Sequence, residues 1–316
     1  MRILKRYLVT TFTAVVLLGF PVTESTLNAK DAKYKPFIHA YDSDQPLEAV
    51  VTEVKAKLTA AGFEIAGEHR PYDGSVMMGF TNDTLKAAAA KSESGGYAVA
   101  QRVSMVTMKD KVQVAYTNPT YMAYAYQMDD NLAAVTDALV TVLGAEGGEY
   151  GVKKAKTAKQ LRKYHYMFGM PYYDDPMKLA SHTDYQTAIA KVEENLAAGA
   201  GGTSKVYRID IPGKDQAIFA VGMTTECSSD KFVMDEIDFK DVRSAAHLPY
   251  ELMVDGGDVY ALHAKFRIAM NFPDLSMMGS NSFMGIMCSP DDIRDALRAT
   301  AGYTKKKRKK KKKRRG

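Results

Sequence analysis

The stretch that most constrains this chain runs from Leu248 to Met270, LPYELMVDGGDVYALHAKFRIAM. From Val259 to Met270 the residues alternate. Tyr260, Leu262, Ala264, Phe266, Ile268 and Met270 share one face, and Val259, Ala261, His263, Lys265 and Arg267 share the other. A period of two over this length describes a strand with one buried face. Upstream, Leu248, Tyr250, Leu252 and Val254 form the apolar face of a second strand. The turn signal Asp255-Gly256-Gly257-Asp258 lies between the two.

The apolar faces then predict the register. A loop of three residues, Gly256 to Asp258, pairs Val254 with Tyr260, Leu252 with Leu262 and Tyr250 with Ala264, so all apolar side chains fall on one side. The same register sets Glu251 opposite His263, where it would hold the imidazole protonated. Glu251, His263, Lys265 and Arg267 are therefore the candidate ligand-binding group, an anion or proton site. The alternative is an ordinary solvated sheet face.

The two ends of the chain differ in character from its body. Arg2, Lys5 and Arg6 precede the apolar stretch Tyr7 to Val22, and Leu27-Asn28-Ala29 offers a small-residue cleavage site. Residues 1–29 thus read as a secretory signal peptide, with an uncleaved anchor as the alternative. The stretch is shorter than the ~20 residues of a spanning helix. No later segment is apolar enough to span, so no transmembrane span is expected after cleavage, and the location expected is periplasmic or secreted. At the other end, Lys305 to Arg315 are eleven consecutive basic residues. Without the leader and this tail, the body keeps 29 Lys and Arg against 36 Asp and Glu, a net charge near −7. That sign disfavours specific nucleic-acid binding by the body. The tail, residues 305–316, is expected to be disordered and able to meet an anionic envelope surface.

Between the ends, one order of elements occurs twice. Leu47, Val50, Val51, Val54 and Leu58 form a helical stripe after Asp44 and Pro46, closed by Gly62. Strands are expected at Phe63 to Gly67, Ser75 to Phe80, Tyr97 to Met108 and Val112 to Tyr116, with helices at Thr84 to Lys91 and from Leu132 to Val142. Residues 145–163 are rich in Gly and Lys and read as a linker. The order then resumes. Tyr164 to Tyr173 is strand-like, and a helix carries Tyr185, Ile189, Val192 and Leu196. Strands follow at Val206 to Ile211 and Ala217 to Gly222. Ser289-Pro290-Asp291-Asp292 opens a last helix, ended by Gly302. The fold class expected is α+β: two tandem small domains, 34–144 and 164–304, each an antiparallel-rich sheet covered by helices.

Residues 44 to 143 resemble the small bacterial proteins grouped as domain of unknown function 302. The segments VMMGFTNDTLKAAAA and VSMVTMKDKVQVAYTNPTYM carry the resemblance. The second half, 184 to 302, resembles a more diverged copy. Many members carry a cysteine followed by Asn-Pro where this chain has Thr81, Asn82 and Asp83. The second copy has Cys227 nearby, in MTTECSSD. The resemblance implies a fold and little about activity.

Cys227 and Cys288 are the two cysteines. In an exported protein they suggest a disulfide, with buried thiols or a redox or metal role as alternatives. The run from Met277 to Cys288 is dense in methionine, and thioether and thiolate ligands suit copper(I). Met284, Met287 and Cys288 are the candidate metal set, with His263 as a further candidate ligand, in competition with the disulfide for Cys288. The other histidines show no metal-ligand spacing, and no phosphate loop or nucleophile elbow occurs. The function expected is an exported binding or accessory protein without catalysis, acting on an unknown small ligand or protein partner. The alternatives are copper or thiol-redox handling, and tethering through the tail.

Overall fold

The computed structural model describes residues 32–303. The leader reading and the basic tail fall on residues outside that range. The first half runs β1 (Lys33–Tyr34), β2 (Phe37–Ser43), α1 (Leu47–Ala60), β3 (Glu64–His69), β4 (Ser75–Thr81), α2 (Asp83–Lys91), β5 (Gln101–Met108), β6 (Lys111–Thr117), α3 (Pro119–Ala125), α4 (Ala133–Leu143), β7 (Gly148–Tyr150), β8 (Lys156–Thr157) and α5 (Ala158–Arg162). The second half runs β9 (Met177–Ser181), α6 (Tyr185–Ala197), β10 (Thr203–Asp210), β11 (Gln216–Met223), α7 (Asp230–Ile237), β12 (Tyr250–Asp255), β13 (Asp258–Ala261), α8 (Ala264–Asn271) and α9 (Ser289–Thr300). The class is α+β, with antiparallel sheets flanked by helices.

The six-stranded sheet has the order β3-β4-β5-β6-β2-β7, and the five-stranded sheet the order β10-β11-β12-β13-β9. These are the same order, strand for strand, until β7. Two bulges fall at matching places. One lies between Ile65 and Gly67 in β3 and between Lys205 and Tyr207 in β10. The other lies between His39 and Tyr41 in β2 and, in β9, between Lys178 and Ala180. Bulges fix register locally, so two that agree establish one residue-level equivalence. Under it Arg102 matches Glu251, Tyr116 matches Ala261, Asn118 matches His263 and Thr120 matches Lys265.

Each sheet buries one face under its own helices. α1 supplies Val50, Val51, Val54 and Leu58 to the first core. α6 and α9 supply Ala188, Val192, Leu196, Ile293 and Leu297 to the second. The other faces lie against each other. Arg102 reaches Glu251 across this plane at 3.1 Å, both side chains being buried. A methyl group on Gly79 would stand 2.3 Å from the Tyr207 ring, so glycine there permits the close approach. Double burial also explains why β4 and β11 read as near-continuous apolar runs rather than alternating ones.

That layering overturns the expected long hairpin. β13 ends at Ala261, and residues 264–271 form α8. Val254 pairs with Val259 and Leu252 with Ala261 around a two-residue turn, Gly256-Gly257, instead of the three-residue loop. With both sheet faces covered, an apolar/polar alternation no longer selects a register. α8 is buried along all of its length except Lys265, which removes the 3.6-residue stripe that marks a surface helix.

Residues 145–163 are likewise no free linker. β7 pairs with β2, β8 pairs with β1, and α5 buries Leu161. The aromatic segment 164–173 forms no strand; the strand that opens the second half is β9, four residues further on.

Candidate functional site

Three elements converge at one corner of the second half. Met177 begins β9, His263 occupies the N-cap position of α8, and Pro290 and Asp291 open α9. The segment 165–175 arches over them. They enclose an open cleft of about 640 Å³, lined also by Met170, Tyr172, Asp175, Lys265 and Arg294. The arch is braced from within: the His165 ring lies flat on Tyr172, centroids 4.1 Å apart. Its Nε2 bonds the Met170 carbonyl at 2.9 Å, which assigns the proton to that nitrogen. The Tyr172 N–H donates to Asp175 at 3.3 Å. At the crest, Phe168 is wholly exposed.

The cleft mixes charge with apolar walls. Arg294 is held by Asp291 at 2.6 Å and by Asp295 at 2.9 Å. Lys265 is exposed and has no carboxylate partner among the described residues. Burial lowers the His263 imidazole below its ordinary pKa. Asp175 opposes that shift, and Lys265 and Arg294 add to it. The ring is thus a neutral donor and acceptor near neutral pH, instead of the protonated group expected from a Glu251 partner. Beyond Met170 and Lys265 lies a second, small recess of about 30 Å³, walled by apolar side chains including Ile268, Phe272 and Phe283. An anionic group can therefore meet Lys265 at the mouth while an apolar or aromatic part faces Tyr172, Met170 and the recess.

The four residues grouped from the sequence separate in space. His263 and Lys265 line the cleft. Glu251 lies between the sheets, ion-paired with Arg102 and accepting from the Tyr207 hydroxyl at 3.0 Å. Arg267 is buried on the far side of α8, donating to the carbonyls of Pro249 at 3.0 Å and His247 at 2.7 Å. Both hold the fold together and neither reaches the cleft. The reason is the helix: its turn of about 100° per residue separates Lys265 from Arg267, where a strand would align them.

Cys227 and Cys288 form a disulfide. Cys288 is therefore no thiolate ligand, and the set Met284, Met287 and Cys288 does not exist as such. Met284 and Met287 are exposed on the short turn before α9. His165 and Arg294 were not singled out in the sequence. The aromatic density of 164–173 was the available signal, and reading it as a strand concealed it.

The fold and this cleft together define an α+β protein whose two larger sheets share one strand order up to β7, with an amphipathic cleft in the second half. No protein-family profile matches the chain, and no curated protein matches it. Among solved structures it is similar to the crystal structure of an uncharacterized conserved protein, DUF302, from Bacillus stearothermophilus. That likeness has 12% identity and a TM-score of 0.31, and covers 34% of this chain and 94% of that one.

Proposed function

We propose that this is an exported binding protein, built from two copies of one domain of the DUF302 kind, whose second copy takes a small anionic ligand with an apolar or aromatic part. The observation that carries the reading is Lys265, a cation with no carboxylate partner among the described residues, on a cleft where Arg294 is already held by Asp291 and Asp295 and where aromatic, thioether and imidazole groups supply much of the wall. The shared strand order and the two matching bulges support the duplication. The leader at residues 1–29 supports export, and the disulfide accords with an oxidising compartment. The reading is of binding without turnover, since the cleft's groups are suited to holding and orienting.

Anilinonaphthalene sulfonate, a fluorescent apolar anion, serves as the test probe. Lys265→Ala should weaken its binding by about tenfold, or ~1.4 kcal/mol, while Lys265→Arg should retain it. Wild-type affinity in Lys265→Ala, with benzoate unable to displace the probe, would sink the proposal.

A further inference from the structure

The methionine-rich segment just before α9 is a small knot, of which Met277 and Phe283 also wall the apolar recess beside the cleft. Ser276 and Ser282 form an isolated β-bridge. The Met284 N–H donates to the Met277 carbonyl at 3.2 Å, so the two residues are backbone neighbours. Met284 and Met287 are three apart at a 3₁₀ turn, Phe283–Ile286, where positions i and i+3 eclipse. Their side chains thus leave the same face. Beneath the knot, Glu236 accepts the Ser282 N–H at 2.9 Å. Its carboxylate sits so close to Gly285 that an added methyl group would stand 2.2 Å from Oε1. The disulfide at Cys288 anchors the trailing end.

Within this frame the thioethers are turned outward. Met277 is 42% exposed, Met284 53% and Met287 65%, with Met278 beside them at 71%. Methionine ordinarily fills irregular cores, and most methionines of this chain do so, as at Met77, Met78, Met105, Met122, Met253 and Met270. Four exposed thioethers on eleven braced residues, above a fixed carboxylate, follow a different logic. A thioether is a soft, neutral donor that needs no deprotonation, and it selects soft monovalent cations over zinc or magnesium.

We propose that this knot is a binding site for a soft monovalent cation, Cu(I) or its redox-inert analogue Ag(I). Met277, Met284 and Met287 are the ligands, Met278 stands at the rim, and Glu236 supplies the compensating charge. The site uses no cysteine, so it coexists with the disulfide. It shares Met277 with the wall of the apolar recess, but Lys265 is not a ligand in it, so Ag(I) binding and probe binding can fail separately.

The test is titration of the full-length oxidised chain with Ag(I), followed by calorimetry and native mass spectrometry, after a thiol assay has shown both cysteines to be bonded. One Ag(I) per chain is expected. Its affinity should stay flat between about pH 5.5 and 8, because thioethers do not titrate there whereas imidazole does. The triple variant M277L/M284L/M287L, which keeps the apolar bulk, should lose more than the roughly 100-fold that removal of an outer-shell partner costs a metal site. Met167→Leu, an exposed thioether outside the knot, should bind as wild type does. Should the triple variant not fold, each single Leu variant must weaken binding about tenfold. Wild-type affinity in the folded triple variant or in all three single variants would overturn the proposal. So would an affinity that follows a histidine titration curve.

Discussion

The same corner of the two halves is built in opposite ways. In the first half, Asn118 and Thr120 occupy the positions that His263 and Lys265 hold in the second. Asn118 is buried, caps α3 through the Tyr121 N–H and donates to the Lys35 carbonyl at 3.0 Å. Thr120 is buried against Thr136 at 2.8 Å. The Lys35 N–H donates to Glu149 at 2.7 Å, and β7 runs along the outer edge of β2. In the second half, among the described residues, β9 has a neighbour on one side only. There the helix-start positions carry an imidazole and an ammonium, facing a cleft. One scaffold therefore yields a closed corner or an open one, according to whether a strand and a capping amide fill it.

The comparison can be broken most forcibly at its axis. Arg102 and Glu251 are equivalent positions that face each other, and their opposite charges make the meeting of the two halves favourable. Arg102→Ala would leave Glu251 buried without a countercharge, at a cost of about 3–5 kcal/mol. Replacing both residues by Met should recover most of it. Urea unfolding of the two variants decides the point: equal loss in single and double variants would mean that packing, and not charge, holds the sheets together.

The next difference is covalent. The first half keeps its topology without a cysteine, while the second closes a loop of sequence separation 61. On the chain-entropy account, C227A/C288A should cost about 4 kcal/mol, read as a shift in the urea midpoint. A loss below ~1 kcal/mol would show that the second half needs the link no more than the first does.

Per pH unit, the smallest effect lies where α2 and α7 end. The C-cap is Ser92 in one and Asp238 in the other. Burial pushes the Asp238 carboxyl up to about 7, although its Oδ1 accepts the Ser244 N–H. In the unfolded chain an aspartate ionises near ~3.9. The stability this neutral carboxyl contributes is therefore full below about pH 4 and is lost as pH rises towards 7. The slope is at most ~1.4 kcal/mol per pH unit. Asp238→Asn keeps the bond to Ser244 and should flatten the stability profile across that window. An unchanged profile would place the titration elsewhere.

Much of the architecture was legible. The stripe of α1, the Pro-Asp-Asp start of α9 and the paired order of helices and strands follow from local chemistry that tertiary packing did not overrule. β9 was not legible: it has five residues, with Lys178 and Ser181 exposed, too few for a period. α8 was hidden for the opposite reason, being buried nearly all round. In the candidate site, the alternation puts His263 and Lys265 on one strand face whereas a helix start presents them to the cleft, and the aromatic composition of the arch is that of a strand.

Sequence alone determined the α+β class and the presence of two cysteines able to pair. It could do so because caps, turns and composition act over a few residues. Only the tertiary structure decided that the two sheets meet face to face. That contact turns Glu251 and Arg267 from surface charges into buried struts and leaves Lys265 exposed at a cleft. Burial on both faces is a property of the assembled layers, and no local pattern of residues records it.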